Sequence, residues 1–411
     1  MQKNYCRMCN GTNLFKFLDL GFHPPSDNFL TKNQLDQEER YFPLDVYSCM
    51  DCGLCQLGYV VPPEMMFNEN YPYESSITKT LREHFFSMAE NICKEFSIKP
   101  NSLAIDIGSN VGVLLSGFKE QGLRVFGVEP SSNIAELARK NGIETVSKFF
   151  STALAQEIVQ QKGKASVMTG TNVFAHVDDL DDFIKAVKML LEEDGIFIIE
   201  APYLGTLLDG LEYDTIYHEH LSYLSLKPML KFFKKHGMDI FDVEMKSIHG
   251  GTYRYFICRE GKHAISSSIA QILEVEENQQ IYSETRLKKF GDDVKNHKLE
   301  LLSLLVDLKR KGKRIVGISA PAKGNTLLNY CGIDSDIVDY LTERSKLKIG
   351  KYAPGTHIEI FSDDIFLKDM PDYALILAWN FSKEIISNNK EFSNKGGKFI
   401  IPIPTPRIIE N

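Results

Sequence analysis

The sequence predicts an α/β protein in three parts: a cysteine-rich N-terminal module, a central Rossmann-like domain and a smaller Rossmann-like domain at the C-terminus. Three observations carry this. Two CxxC pairs, Cys6-Arg-Met-Cys9 and Cys49-Met-Asp-Cys52, lie in a stretch with little that reads as a long helix. From about residue 80, apolar runs alternate with helical stretches, which is the pattern of a parallel sheet covered by helices. A second alternation of that kind begins at Arg314. The 411 residues exceed one ordinary core, and the expected divisions are 1–75, 76–265 and 266–411.

Composition narrows the function classes. Hydrophobic residues make up 43% and charged residues 25%, the values of a globular chain. The net charge, 47 − 55 = −8, argues against a duplex-binding surface, which neutralises phosphates with cations. No nucleic-acid partner is therefore expected. No apolar run reaches the roughly 18 residues of a membrane span. The polar start with its two cysteines does not read as a secretory leader, so a cytoplasmic protein is expected. Nothing in the sequence compels a dimer, and a monomer is expected. Five of the eight cysteines lie before residue 60, and in such a chain clustering points to metal rather than disulfides.

The N-terminal module offers Cys6, Cys9, Cys49 and Cys52 as a closed four-thiolate shell, which suits a structural Zn²⁺. Cys55 competes for the fourth position, because Cys52-Gly-Leu-Cys55 is also a CxxC; Gly53, as a knuckle turn, favours Cys49 and Cys52.

The central part begins with a predicted helix over Thr80–Phe96. A buried strand is predicted at Leu103–Ile107, a helix at Val111–Gln121 and a second strand at Arg124–Val128. Further strands, read as the fourth and fifth of the sheet, are expected at 165–169 and 195–200. Between the first strand and its helix lies Asp106-Ile-Gly108-Ser-Asn110-Val-Gly112. Its glycines allow a sharp turn and a close backbone approach to a ligand. It lacks the GxGxxG of dinucleotide folds and the Lys-Ser/Thr of a P-loop. A ligand without phosphate, held by backbone and with its ribose on a carboxylate, fits better. Glu129, 23 residues beyond Asp106 at the end of the next strand, is the ribose partner. The pair indicates S-adenosylmethionine (SAM) and a class I SAM-methyltransferase domain. Asn172 and His176, in Thr169–Asp178 after the fourth strand, are further cofactor candidates.

Tyr217-His218-Glu219-His220 is the densest titratable cluster and follows the fifth strand. Carbon methylation needs a base to make a carbanion or enolate, and histidine has the appropriate unperturbed pKa. A carboxylate can orient the imidazole and a tyrosine can hydrogen-bond an enolate oxygen. On a strand, His218 and His220 would face one side and could instead bind a metal. His249-Gly-Gly251 reads as a hairpin turn or a donor site for an anionic or hydroxylated ligand.

Residues 267–312 are helically periodic and predict one or two long connecting helices. Strands are then expected at Arg314–Ser319, Tyr373–Ala378 and Lys398–Ile401. Ala320-Pro-Ala-Lys323-Gly-Asn325 follows the first of these and opens a helix, where N–H groups and Lys323 suit an anion.

The ordered motifs resemble those of bacterial SAM-dependent sugar C-methyltransferases, which act at C3 of nucleotide-linked 4-keto-6-deoxy sugars for surface polysaccharides or antibiotics. The resemblance adds Pro25-Ser-Asp-Asn-Phe29, Tyr71-Pro-Tyr73-Glu-Ser-Ser76 and Pro354-Gly355-Thr-His-Ile358 to the segments above and covers nearly the whole chain. It implies that His220 is the base, with Tyr217 and Glu219 beside it and either Tyr71 or Tyr73 at the active site. It also implies that the C-terminal domain holds the nucleotide-sugar, with His249, Lys323, Asn325, Pro354 and Gly355 as substrate-binding candidates. The competing readings are O- or N-methylation of a related nucleotide sugar, and a non-catalytic protein that binds SAM or a nucleotide-sugar. An RNA methyltransferase with a zinc knuckle fits the acidic balance poorly.

Overall fold

The computed structural model describes residues 1–75, 79–246 and 251–410. In chain order the N-terminal strands are β1 (Leu14–His23), β2 (Phe42–Cys49) and β3 (Cys55–Leu57). The central strands are β4 (Leu103–Ile107), β5 (Arg124–Val128), β6 (Thr145–Val146), β7 (Ala165–Thr171), β8 (Leu191–Pro202), β9 (Ser222–Tyr223), β10 (Met238–Lys246) and β11 (Thr252–Arg259). The C-terminal strands are β12 (Ile315–Ile318), β13 (Leu341–Glu343), β14 (Ile360–Ser362), β15 (Tyr373–Ile376), β16 (Lys398–Ile401) and β17 (Arg407–Ile409).

They form three sheets. The central one has the order β10-β11-β8-β7-β4-β5-β6, parallel except for β11, which runs against both neighbours. Every residue of β4 is buried, as expected of a strand covered by helices on both faces. Each such aliphatic side chain contributes about 1.5–3 kcal/mol by leaving water. The C-terminal sheet, β14-β13-β12-β15-β16-β17, is parallel except for its last strand. In both sheets the chain order reverses at the first strand, beside β4 and beside β12. The carboxyl ends of the strands at that reversal form the crevice where open α/β sheets take ligands.

The N-terminal sheet is antiparallel, β1-β2-β3-β9, so its last strand belongs to the central part of the chain. Cys55 pairs with Tyr223, and Gln56 with Ser222.

Residues 267–312 resolve into two helices, Ser267–Asn278 and Glu284–Arg310. The break falls where Gln280 adopts φ 53° and Ser283 caps the second helix, its hydroxyl accepting from the Arg286 N–H at 3.2 Å. The second helix packs on β1 so closely that a Cβ at Gly291 would sit 2.5 Å from the Phe17 carbonyl oxygen. Among the described residues no helix is long and apolar enough to cross a membrane.

Candidate active site and zinc centre

Two tight turns bring the four predicted cysteines together. In the first, the Asn10 N–H donates to the Cys6 carbonyl at 3.0 Å; in the second, the Gly53 N–H donates to the Cys49 carbonyl at 2.8 Å. The residue after each second cysteine, Asn10 (φ 62°) or Gly53 (φ 95°), turns left-handed. At Gly53 a side chain would also strike Tyr282, 2.7 Å from the Cβ position. The four Sγ atoms lie within 4.8 Å of one another, with Cys6–Cys52 and Cys9–Cys49 both at 3.5 Å. Sulfurs bound at about 2.3 Å in a tetrahedron have that spacing, so this donor set fits Zn²⁺. Cys55 lies in β3, outside this cluster of four.

The crevices of the two larger sheets face one another across a single cavity of about 730 Å³. On the central side, Asp106 is the penultimate residue of β4, and its Oδ1 accepts from the Thr169 hydroxyl at 2.6 Å. Burial raises its pKa to about 7. Gly108 (φ 66°) has room for no side chain, since a Cβ would lie 2.3 Å from Val173. Gly112 (φ 83°) shapes the same turn from outside the cavity, packed against Ile143. The Glu129 carboxylate accepts from the N–H groups of Asn110 at 3.0 Å and Ser131 at 2.9 Å, which fixes it at the rim of the loop. The Asn110 side chain donates to the Tyr73 carbonyl at 3.1 Å and accepts from the Ser75 N–H at 2.9 Å. It thereby ties the Tyr71–Tyr73 segment to the glycine loop. Asn172 (φ 56°) and His176 line the cavity from the end of β7.

Tyr217, Glu219 and His220 line the cavity too, whereas His218 does not. His218 turns to the N-terminal sheet, 3.3 Å from both the Phe42 and Pro43 carbonyls, and burial lowers its pKa to about 4. The His220 Nδ1 lies 2.7 Å from the Thr215 carbonyl oxygen. A carbonyl only accepts, so Nδ1 carries the proton and Nε2 is the basic nitrogen. The two histidines thus serve opposite sides, which excludes the His218–His220 metal pair. The His220 ring is 4.1 Å from that of Tyr217 and 5.0 Å from that of His176, centroid to centroid. Burial, then the nearby His220, depresses His176 well below the ordinary histidine range. Tyr71 donates its hydroxyl to Glu219 at 3.0 Å, and Tyr73 lines the cavity at 39% exposure. Burial, reinforced by Asp27, lifts Glu219 well above the usual carboxylate range.

On the C-terminal side, Lys323 stands in the first turn of helix Ala322–Cys331 with its ammonium 4.0 Å from the centre of the Trp379 ring. Trp379 in turn donates its indole N–H to Asp214 at 2.6 Å. Burial pulls the Lys323 pKa down, against Asp214 and Glu212, which raise it. Arg344 and Lys348 also line this side.

The structure does not bring Asn325, Pro354 or Gly355 to the cavity. Asn325 is 1% exposed and donates to the Ser26 carbonyl at 2.6 Å. The Pro354 carbonyl accepts from Asn329, and the Gly355 N–H donates to Glu39 at 2.9 Å. Asn325 and Gly355 join the C-terminal domain to the N-terminal one, and the Pro354 bond stays within the C-terminal domain. Their loops were recognisable as polar turns, but a turn in sequence does not say which neighbour it faces. His249 lies outside the described residues. Sequence reasoning assigned no role to Asp27, Arg344, Lys348 or Trp379. The only prior signals were the Pro25–Phe29 motif and the uniqueness of the tryptophan.

Comparison with known proteins agrees with this arrangement. Residues 6–67 match the family model described as "Putative zinc binding domain", residues 82–243 "Methyltransferase domain" and residues 247–404 "C-methyltransferase C-terminal domain". The C-methyltransferase NovU of Streptomyces niveus is 34% identical over 405 residues, which cover 98% of this chain and 96% of that protein. A ubiquinone biosynthesis O-methyltransferase of Pelagibacter ubique is 32% identical over 116 residues, 27% of this chain and 48% of its own. Among solved structures, the SAM-bound magnesium protoporphyrin IX methyltransferase of Synechocystis PCC 6803 is 15% identical. That match covers 44% of this chain and 79% of its own, with a TM-score of 0.34. Matched from its zinc-binding module to its last sheet, the chain belongs to the C-methyltransferase family and is a SAM-dependent C-methyltransferase.

Proposed function

We propose that the enzyme methylates C3 of a nucleotide-linked 4-keto-6-deoxy sugar through an enolate. The observation that carries this is the fixed tautomer of His220, whose basic Nε2 belongs to a cavity walled by a SAM loop on one side and Lys323 on the other. The C4 ketone acidifies the neighbouring C–H bond. His220 Nε2 takes the C3 proton, and the electron pair moves into the enolate with its charge on the C4 oxygen. Tyr217, or a tyrosine of the Tyr71-Pro-Tyr73 segment, donates a hydrogen bond to that oxygen. SAM supplies an electrophilic methyl group on a sulfonium centre. C3 forms the new C–C bond to that methyl group as the electron pair returns from the enolate; the S–CH3 bond would break in the same step, its electron pair leaving with the sulfur as the neutral thioether S-adenosylhomocysteine. Glu129, Asn110 and the Gly108 turn would hold the cofactor, while Lys323 would hold the nucleotide phosphates. Much of the acceleration then comes from fixing the two reactants face to face.

The test is incubation with SAM and a panel of TDP-, GDP- and CDP-linked 4-keto-6-deoxy sugars, read by mass and NMR. A methyl group at C3, and exchange of the C3 proton with deuterium, support the reading. A methyl at C5, the other carbon beside the ketone, overturns the regiochemistry while keeping the mechanism. A methyl on oxygen or nitrogen without exchange overturns the enolate. SAM binding with no turnover on any member leaves the sensor reading in its place.

A further inference from the structure

One buried acid is not used by this mechanism. Asp27 follows β1 in the N-terminal domain and reaches the cavity where that domain, the Tyr71 segment and the C-terminal domain meet. Its side chain is 7% exposed. Its Oδ1 has no hydrogen-bond partner, although Lys348 Nζ lies 3.7 Å away. That ammonium also donates to the Ala320 carbonyl at 2.9 Å, so it pairs with Asp27 by charge without completing a hydrogen bond to Oδ1. Asp27 and Glu219 line both the main cavity and a small adjoining one of about 20 Å³, with Tyr71 between them. Burying a carboxylate without a full set of donors is costly, and the cost rises beside a second acid.

The segment carrying Asp27 is also held rigidly. The Ser26 carbonyl accepts from Asn325 at 2.6 Å, and the Ser26 hydroxyl lies 3.4 Å from that of Thr326. Beyond it, Leu30 and Tyr352 exchange both backbone hydrogen bonds, at 3.0 and 2.8 Å. The helix that presents Lys323 therefore also fixes the backbone beside Asp27. An acceptor so placed is preorganised for a donor that arrives with the substrate.

We propose that Asp27 is a specificity-determining residue that accepts a hydrogen bond from a hydroxyl or ammonium substituent on the sugar, at C2 or C3. This rests on the sugar reading above and names a feature of its substrate. Both sources share one chemistry, a donor beside the reacting carbon. Sites built to hydrogen-bond a substrate group discriminate strongly against analogues that lack it.

The experiment compares kcat/KM for matched 4-keto-6-deoxy nucleotide-sugars, 2-hydroxy against 2-deoxy, and 3-hydroxy and 3-amino each against 3-deoxy, in the full-length enzyme. Wild type is expected to prefer the donor-bearing member of the recognised pair on the order of 10- to 100-fold. Asp27→Ala should collapse that preference by lowering the preferred rate alone. Asp27→Asn keeps an acceptor without charge, so a retained preference identifies a hydroxyl and a lost one an ammonium. Its melting temperature should fall, because the buried Lys348 ammonium loses its counter-charge, so the assays are run well below that transition. Equal losses on all substrates, or no change on any, overturn the proposal. So does an Asn variant that loses discrimination and regains it in full when stabilised by SAM. If wild type turns over no member of the panel, the sugar reading falls and this assignment falls with it; failure of the Asp27 arm alone leaves the sugar reading standing.

Discussion

The central and C-terminal sheets are two versions of one architecture, and only the C-terminal one brings cations to the cavity. Each reverses its strand order at its first strand and opens a helix from the loop that follows. Among the described residues, every lysine or arginine lining the cavity, namely Lys323, Arg344 and Lys348, comes from the C-terminal side, where Glu343, Asp363 and Glu384 line it as well. The central edge offers Asp106, Glu129, backbone N–H groups and a glycine turn. The fold supplies a crevice in both cases, and a few residues at the strand ends decide what each crevice takes. A sulfonium nucleoside without phosphate suits the edge that lacks cations, and a diphosphate suits the one that has them.

Four measurements would break or sharpen that contrast. The largest effect is expected between the two edges. His220→Ala should lower kcat by about 10²- to 10⁴-fold while leaving SAM affinity intact by calorimetry; near wild-type turnover would remove His220 as the base. Next, Glu129→Ala should weaken SAM binding on the order of 10- to 100-fold and leave the KM for nucleotide-sugar unchanged. The reciprocal variant, Lys323→Ala, should raise that KM about tenfold with SAM affinity unchanged. If either substitution affected both ligands equally, the division of labour between the sheets would be wrong.

The smallest effect concerns stability. Asp106 is raised from 3.8 to about 7 by burial, so it holds its proton more tightly in the folded state than in the unfolded one. Its contribution is complete below about pH 4 and lost as pH rises through about 7. The ligand-free enzyme should therefore lose a few degrees of melting temperature, on that account, across the interval. Asp106→Asn should flatten the slope; an unaltered slope would assign the titration to other groups, Glu212 first, which burial also raises to about 7.

What was legible in the sequence was what neighbouring residues encode by themselves. The strands at Leu103–Ile107, Arg124–Val128 and Lys398–Ile401 appear with the predicted bounds, because each is a short buried run between turns. β8 begins earlier than its apolar run, at Leu191, because Leu191 is held by pairing with Ala165. The cysteine turns and the glycine loop were readable for the same reason: a CxxC or a left-handed glycine is a local geometry. The connection of Asp27 to Lys348 and of Lys323 to Trp379 was not, since those partners are 321 and 56 residues apart and meet only through packing. His218 and His220 show the limit most sharply. They are two residues apart, of one type, and separated in role by which carbonyl each one finds.

The borrowed strand β9 gives the zinc module a mechanical reach beyond its own borders. Ser222 and Tyr223 close the N-terminal sheet, and His220 stands two residues before them. Removing the metal would loosen the sheet that anchors this strand, and the slack would arrive at the histidine before it reached any other group in the cavity. A protein cut at the start of the central domain would not be a smaller enzyme. It would carry a bare edge strand next to its base, with an interrupted ladder inviting another chain to pair. Swapping N-terminal modules between relatives would then depend on the match at Cys55 and Gln56 together with the Phe17–Gly291, Ser26–Asn325 and Glu39–Gly355 contacts.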